Sequence, residues 1–205
     1  MNELVPGIYH WDAMHPDIPF RVSSYYVEPA GIVLDPLEPE EGMGFFDGRD
    51  VAPQQVVLTC GLHWRHSDRF AERYGATVRA PAPGLHRYEG TGRESEPYDD
   101  GDELAPGVHA FAIGGIAPDD FALHIRHGDG ALALADALHH YVGELALMPD
   151  GLWGDPEAEK PRVVDSLRGA ATRDFDTLLL AHGDPIAKGG RDALLEFLEN
   201  PEPRT

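Results

Sequence analysis

The side chains best suited to chemistry follow an apolar stretch at residues 56–58, where two histidines and an aspartate come close together: His63, His66 and Asp68. The apolar stretch predicts a buried strand, and the helical spacing of apolar residues from Phe70 onward predicts a helix. Side chains converge where a strand end leads into a helix, and backbone N–H groups stay unsatisfied there, so this loop is a candidate site. Imidazole and carboxylate groups bind divalent metal ions, which activate water for hydrolysis.

Two further polar residues each follow a predicted strand later in the chain. Asp136 comes directly after the apolar residues 131–135, and His182 comes directly after residues 177–181. Asp136 has the alternative of capping the segment that follows it, and His182 opens a Gly-Asp-Pro sequence that is typical of turns. A position at the end of an apolar strand favours a pocket for both residues.

The composition excludes several classes of partner. The chain has 16 Lys and Arg against 36 Asp and Glu, a formal net charge of -20, which is the wrong sign for binding nucleic acid or anionic lipid. The single cysteine, Cys60, rules out an intramolecular disulfide and fits a reducing cytoplasm. The N-terminal residues do not resemble a signal peptide, and no apolar run reaches the roughly 18 residues of a membrane span. We expect a soluble, cytoplasmic protein that acts on a small molecule; the sequence does not indicate its oligomeric state.

The predicted elements form two strand-rich halves, each closed by helices. Strands are predicted at residues 4–11, 21–28, 31–35, 56–58, 76–79, 108–113, 121–126, 131–135 and 177–181, and helices at residues 67–74, 158–172 and 192–199. The polar, acidic segment 88–103 predicts a mobile loop. A length of 205 residues with 42% hydrophobic content suits one well-buried domain, so we predict a single domain over residues 1–205. The pattern suggests sheet packed on sheet with helices outside.

The loop after residues 56–58 resembles the metal-binding loop of the metallo-β-lactamase superfamily, whose pattern after a strand is His-x-His-x-Asp-His. In this chain His66 and Asp68 match the second histidine and the aspartate. Trp64 stands where the first histidine should be, and Arg69 stands where the last should be. Half of the motif is therefore present, and the resemblance depends on the later positions.

Asp136 and His182 supply those later positions in the family order. Asp136 stands where the superfamily has an aspartate that bridges two metals, and His182 is similar to its last metal-binding histidine. A further family histidine, in a glycine-rich turn before the middle strands, is replaced by Gly115. The resemblance extends over roughly residues 4–199. It implies an α+β protein with the four-layer αββα metallo-β-lactamase-like sandwich.

The resemblance also implies a metal-dependent hydrolase, since members of the superfamily cleave esters, thioesters, lactams, lactones and phosphoesters. The metal ligands that it implies in this chain are His66, Asp68, Asp136 and His182. His63 is a further candidate that the family pattern does not include: His63 and His66 form a His-x-x-His pair that shares one face if the loop winds as a helical turn, so His63 would restore the ligand missing at Trp64. The alternative for His63 is a loop residue near solvent. Asp68 is also the candidate catalytic residue. Because several of the family's ligands are missing, the set implies either a single divalent ion (zinc, iron or manganese) or no ion.

The alternative is a metal-free, non-catalytic relative that acts as a binding or interaction protein. Arg69 discriminates between the two hypotheses, because a guanidinium pairs well with carboxylates and can replace a metal as their partner. If Arg69 pairs within the pocket, the metal-free hypothesis is favoured. If Arg69 turns outward, the metallo-hydrolase hypothesis is favoured.

Overall fold

The computed structural model describes residues 1–201, which fold as two units, Met1–Tyr98 and a second unit that begins at Asp99. The single domain expected over residues 1–205 stays a prediction. Among the described residues, no helix has both the length and the apolar composition needed to cross a membrane.

The first unit is built on one seven-stranded sheet whose strands lie in chain order. These strands are β1 (Asn2–Val5), β2 (Ile8–Met14), β3 (Arg21–Val27), β4 (Ile32–Leu34), β5 (Gln55–Val57), β6 (Thr77–Pro81) and β7 (Glu96–Tyr98). The pairs from β1 to β4 are antiparallel, and those from β4 to β7 are parallel. The carboxyl ends of β4 and β5 therefore lie side by side, and the polar residues that follow them meet at one edge of this sheet.

Helix α1 (Ser67–Tyr74) follows β5 and has the bounds that the sequence predicts. It ends at Gly75, whose φ of 66° is a left-handed conformation that glycine adopts without steric cost. Phe70 is fully buried on its inner face, with its ring 5.3 Å from that of Phe46. This packing fixes the helix start, and with it the loop that carries His63 and His66.

The predicted loop at residues 88–103 contains more regular structure than its composition suggests. Strand β7 pairs in parallel with β6, and Tyr98 at its end is buried. The Tyr98 hydroxyl donates a 2.5 Å hydrogen bond to the backbone oxygen of Leu58. One buried aromatic residue thus anchors a segment whose other residues are mostly polar, and that contact is not visible in the composition.

As far as residue 201, the second unit has a five-stranded sheet, a separate hairpin and two helices. The sheet strands are β8 (Glu103–Ala105), β9 (Val108–Ala112), β10 (Phe121–Ile125), β11 (Ala131–Leu134) and β14 (Thr177–Leu180), in the order β14-β11-β10-β9-β8. The hairpin is formed by β12 (Leu138–Tyr141) and β13 (Glu144–Leu147), and the helices are α2 (Pro156–Ala170) and α3 (Gly190–Glu199). Only β11 and β14 pair in parallel; the other pairs of this sheet are antiparallel.

Strands β11 and β14 form the buried centre of the second unit. All of their residues are buried, as expected for apolar strands covered on both faces. They share a core with residues of both helices, among them Leu167 on α2 and Leu194 on α3. Helix α2 is capped by the Asp155 side chain, which accepts from the Ala158 N–H, and has proline in its first turn, where no N–H is needed.

Candidate functional site

Asp136 and His182 meet in the second unit. The parallel register of β11 and β14 pairs Leu134 with Leu180, and each polar residue comes two positions after its strand's paired leucine. The His182 Nε2 lies 3.0 Å from Asp136 Oδ1, and both side chains are buried. Two sequence-predicted ligands are thus brought into direct contact, at the edge of the sheet where both strands end.

The backbone around His182 is held by the hairpin that follows Asp136. The His140 N–H donates to the His182 oxygen at 3.1 Å, and the Asp184 N–H donates to the His140 oxygen at 3.0 Å. Gly183 between them has a φ of 83°, and a Cβ there would lie 2.1 Å from the His140 oxygen. Only glycine allows the chain to pass so close to the hairpin. The position of His182 is therefore fixed from both sides.

A second carboxylate, Asp120, lies near Asp136. Asp120 is fully buried at the end of the turn between β9 and β10. One of its carboxylate oxygens lies within 4.8 Å of one from Asp136. Sequence reasoning misses Asp120, since a Pro-Asp-Asp sequence in a turn is ordinary turn chemistry.

His139 is a further half-buried imidazole in this region. Burial lowers its pKa, and the nearby His182 and His140 lower it further. The adjacent His140 is turned elsewhere, with its Nδ1 2.8 Å from the Asp184 oxygen. Near Asp136, burial and the Asp136 charge raise the pKa of the Tyr141 hydroxyl. A neutral imidazole and a protonated phenol therefore flank the Asp136 and His182 pair.

His63 in the first unit is buried against Asp35, the residue that follows β4. The His63 Nδ1 lies 3.1 Å from Asp35 Oδ2. Thr59 also binds Asp35, through its N–H at 2.8 Å and through its hydroxyl. A carboxylate at Nδ1 favours the tautomer with its proton there, which leaves the lone pair on Nε2, the atom a metal would bind. Asp35 therefore positions His63 as an orienting residue does in a metal site.

Arg65 completes this network. Its guanidinium donates to the backbone oxygens of Ser23 at 2.8 Å and Asp35 at 2.6 Å. Complete burial acts to raise the pKa of Asp35, but its interactions with His63, Arg65 and Thr59 outweigh that effect, so the pKa lies below its ordinary value. Asp35 is thus a buried anion held by the loop after β5.

Comparisons with known proteins place this geometry in a known fold. No family model matches the sequence, and no curated protein matches it. Among solved structures, this chain is similar to a metallo-β-lactamase family protein from Thermus thermophilus, TTHA1429, with 19% sequence identity and a TM-score of 0.68. The similarity covers 96% of this chain and 80% of TTHA1429. The chain is also similar to TTHA1623, solved in a di-iron-bound form, with 20% sequence identity and a TM-score of 0.67. That similarity covers 95% of this chain and 100% of TTHA1623.

A third similar structure is that of the DIM-1 metallo-β-lactamase, solved after exposure to ceftazidime, with 13% sequence identity and a TM-score of 0.69. The similarity covers 98% of this chain and 96% of DIM-1. This chain has the metallo-β-lactamase fold. The predicted α+β, metallo-β-lactamase-like fold is therefore confirmed. At these identities the likeness shows the fold alone, so the residues of the site must be argued from their own geometry.

Within the metallo-β-lactamase fold of this chain, His66 and Asp68 lie at the start of α1. The His66 Nδ1 accepts a 3.0 Å hydrogen bond from the Glu38 N–H. Burial lowers the pKa of His66, and the Arg69 cation lowers it further. Asp68 is exposed in the first turn of the helix. Their role as ligands, and that of Asp68 in catalysis, stay predictions.

Arg69 turns to the surface. Its side chain is 52% exposed, and its guanidinium pairs with the Glu38 carboxylate. An outward Arg69 is the arrangement that favours the metallo-hydrolase hypothesis. Trp64 is buried, and its ring lies 4.9 Å from that of Tyr88.

Proposed function

We propose that this chain is a metal-dependent hydrolase with a single-ion site, whose ligands in the second unit are Asp136 and His182. The observation that carries the proposal is their 3.0 Å contact at the paired ends of β11 and β14, with both side chains buried. A buried carboxylate beside a buried imidazole is the donor chemistry of zinc, iron and manganese sites. The metallo-β-lactamase fold, which TTHA1623 combines with two bound irons, supports the same function.

The chemistry supplied by a bound divalent ion would be a lowered pKa of its water and polarisation of a carbonyl or phosphoryl oxygen. The Asp136 carboxylate would bind the ion and partly neutralise its positive charge. His182 would present Nε2 from a backbone position fixed by Gly183 and the hairpin. His139, whose pKa is lowered by burial, would stay neutral and add no competing positive charge.

The first-unit candidates are part of the proposal. His63, with Nδ1 engaged by Asp35, is in the tautomer that a ligand needs. His66 and Asp68 are proposed from the family pattern, Asp68 with a catalytic role. Single substitutions of the three, compared for metal content, separate the residues that bind the ion from those that do not.

The proposed substrate is a small molecule with an ester, thioester or phosphoester bond. The formal charge of -20 opposes binding of nucleic acid or an anionic membrane surface, which supports this choice of substrate. A cytoplasmic location is proposed on the single cysteine.

One observation favours the metal-free alternative. The Asp136 and His182 atoms that would both bind an ion lie at hydrogen-bonding distance from each other, so an N–H at His182 Nε2 would donate directly to Asp136 without an ion. In that case the chain keeps the fold and a polar site without catalysis, and acts as a binding protein.

Elemental analysis of the purified, tag-free protein distinguishes the metallo-hydrolase from the metal-free binding protein. We expect about one divalent ion per chain in the wild type and much less in Asp136→Asn. The matched control is Asp129→Asn, the same chemical change at an exposed hairpin turn. Metal far below one ion per chain in the wild type, unchanged after reconstitution with zinc, iron and manganese, would contradict the metallo-hydrolase proposal and favour the binding protein.

A further inference from the structure

Strand β12 pairs with the segment that follows β14, and this pairing decides which way its side chains point. His140 and Gly183 are partners in a parallel bridge. Residues opposite each other in paired strands point to the same face, and successive residues of a strand point to opposite faces. His139 and His182, each one residue before the bridge, therefore lie next to each other on one face. The His140 side chain lies on the other face.

The face of β12 that carries His139 borders the Asp136 and His182 pair. Tyr141, two residues further along the strand, shares this face, and its ring lies 5.0 Å from that of His139. Burial is the main cause of the pKa shifts of both rings. In addition, His182 lowers the pKa of His139, and the Asp136 charge raises the pKa of Tyr141. The two rings therefore line one side of the candidate site.

The two histidines of β12 differ in their hydrogen bonds. The His140 Nδ1 lies 2.8 Å from the Asp184 oxygen, so this imidazole helps to hold the hairpin in place. The His139 Nδ1 is buried, and within residues 1–201 it has no hydrogen-bond partner. A buried nitrogen without a partner costs free energy, and an apolar side chain such as that of Leu138 on the same strand avoids this cost. The folding of the hairpin therefore does not explain a histidine at position 139.

A neutral imidazole beside the candidate ion site suits the binding of a substrate oxygen. Its N–H donates a hydrogen bond to a carbonyl or phosphoryl oxygen, where negative charge develops during hydrolysis. Because the pKa of His139 is lowered by burial and by the neighbouring imidazoles, the ring carries no positive charge at neutral pH that would oppose a divalent ion. His139 is half-buried, so part of its ring is accessible to an incoming molecule.

We propose that His139 is a substrate-binding residue of the metallo-hydrolase, and that its imidazole donates a hydrogen bond to the substrate oxygen at the bond that is cleaved. This inference rests on the proposed function. The carboxylate or phosphate released from an ester, thioester or phosphoester keeps that oxygen, so His139 also contacts the product. Product binding therefore measures the contact independently of turnover.

Calorimetric titration with acetate and with inorganic phosphate tests the proposal. The full-length protein is first loaded with zinc, iron or manganese, whichever ion it takes up. His139→Phe keeps a planar ring beside Tyr141 and removes both nitrogens, and we expect it to bind at least one of the two anions about fivefold more weakly. His139→Gln has an amide that donates and accepts, and we expect its affinity to stay within about twofold of the wild type. The content of bound ion should be unchanged in both variants.

His124→Phe is the control for the loss of an imidazole from the second unit. His124 lies on β10 with its Nε2 2.8 Å from the Asp174 oxygen, and its loss should leave anion binding unchanged. NMR of the wild type gives a second readout that a purely structural role would not produce. The ring-proton signals of His139, identified by their absence in the His139 variants, should shift on adding the anion, and those of His124 should not. If His139→Phe does not fold, His139→Ala replaces it.

The outcomes separate this inference from the function on which it rests. A wild type that takes up no zinc, iron or manganese overturns both. A loaded wild type that binds neither anion, or whose His139→Phe variant binds both anions equally well, overturns the role of His139 and leaves the metallo-hydrolase proposal standing. Equal weakening in His139→Gln, or loss of the ion from His139→Phe, also overturns a hydrogen bond to the substrate. Weaker binding in His139→Phe, with nearly normal binding in His139→Gln and His124→Phe, supports it.

Discussion

Leu134 on β11 and Leu180 on β14 are register partners in the one parallel pair of the second sheet. Asp136 and His182 each lie two residues further along, so the pairing of two apolar residues brings two polar residues to 3.0 Å. The register of the sheet thus sets the geometry of the site. Substitution of either Asp136 or His182 should therefore change the environment of the other side chain.

Substitution of His182 should destabilise the metal-free protein. In His182→Ala, the buried Asp136 loses the imidazole at 3.0 Å, so we expect the free energy of unfolding to fall by about 3 kcal/mol. The loss should be partly recovered in the double variant with Asp136→Asn, because the charge that needed a partner is gone. Urea denaturation in chelator measures all four members of this cycle. Effects that add to within about 0.5 kcal/mol would show that the two side chains are not coupled.

Asp35 should make stability depend on pH in the acid range. Its pKa in the folded protein lies below the ordinary value of 3.8, so the folded state favours the ionised form more than the unfolded chain does. This stabilisation is complete well above pH 3.8 and is lost as the pH falls through the folded pKa. We expect Asp35→Asn to lower the free energy of unfolding by about 3 kcal/mol at about pH 7, and by progressively less below about pH 4.

Urea denaturation of both proteins between about pH 7 and about pH 3 measures that difference. Asp129→Asn, at an exposed turn, shows the background for the same chemical change. A difference between Asp35→Asn and the wild type that stays constant down to the most acid condition would show that the carboxylate charge contributes nothing to the buried network.

Arg69 should depress the pKa of His66 in the metal-free protein. Burial lowers the pKa of this imidazole, and the Arg69 cation adds to the effect. In Arg69→Gln we expect the His66 midpoint to rise toward the ordinary value of 6.5. The measurement is an NMR titration of the histidine ring protons. Arg73→Gln, which removes an exposed arginine paired with Asp47 on the same helix, should leave the His66 midpoint in place.

The sequence predicts the fold better than it predicts the site. Apolar runs followed by polar residues locate Asp136 and His182 at strand ends, and the family order indicates that they belong together. The structure adds the register that joins them, which no periodicity reveals because each strand is apolar or buried throughout. The outward direction of Arg69 depends on the position of Glu38, a residue in another loop.

Two members of the candidate sites lie beyond what a linear pattern shows. Asp35 follows a different strand from His63, and their contact exists because β4 and β5 are parallel neighbours. Asp120 stands in a turn whose residues are ordinary turn formers, and only the close approach of its carboxylate to Gly115 distinguishes it. The contact of Asp35 with His63 comes from strand pairing, and that of Asp120 with Gly115 comes from the fold of a turn, so neither follows a periodic pattern in the sequence.

Gly183 should be intolerant of any side chain, and the effect should reach the metal site. A Cβ there would meet the His140 oxygen at 2.1 Å with φ at 83°, so Gly183→Ala must move the hairpin or the segment that carries His182. Gly143→Ala is the matched control, since it has a φ of 77° with nothing within 4 Å of the added Cβ. The control should lose about 1–2 kcal/mol of unfolding free energy from backbone strain alone, and Gly183→Ala should lose more. Metal content should fall only in Gly183→Ala, as measured by urea denaturation and elemental analysis of the same preparations. Equal losses in the two variants, with unchanged metal content, would show that the close approach to His140 does not position His182.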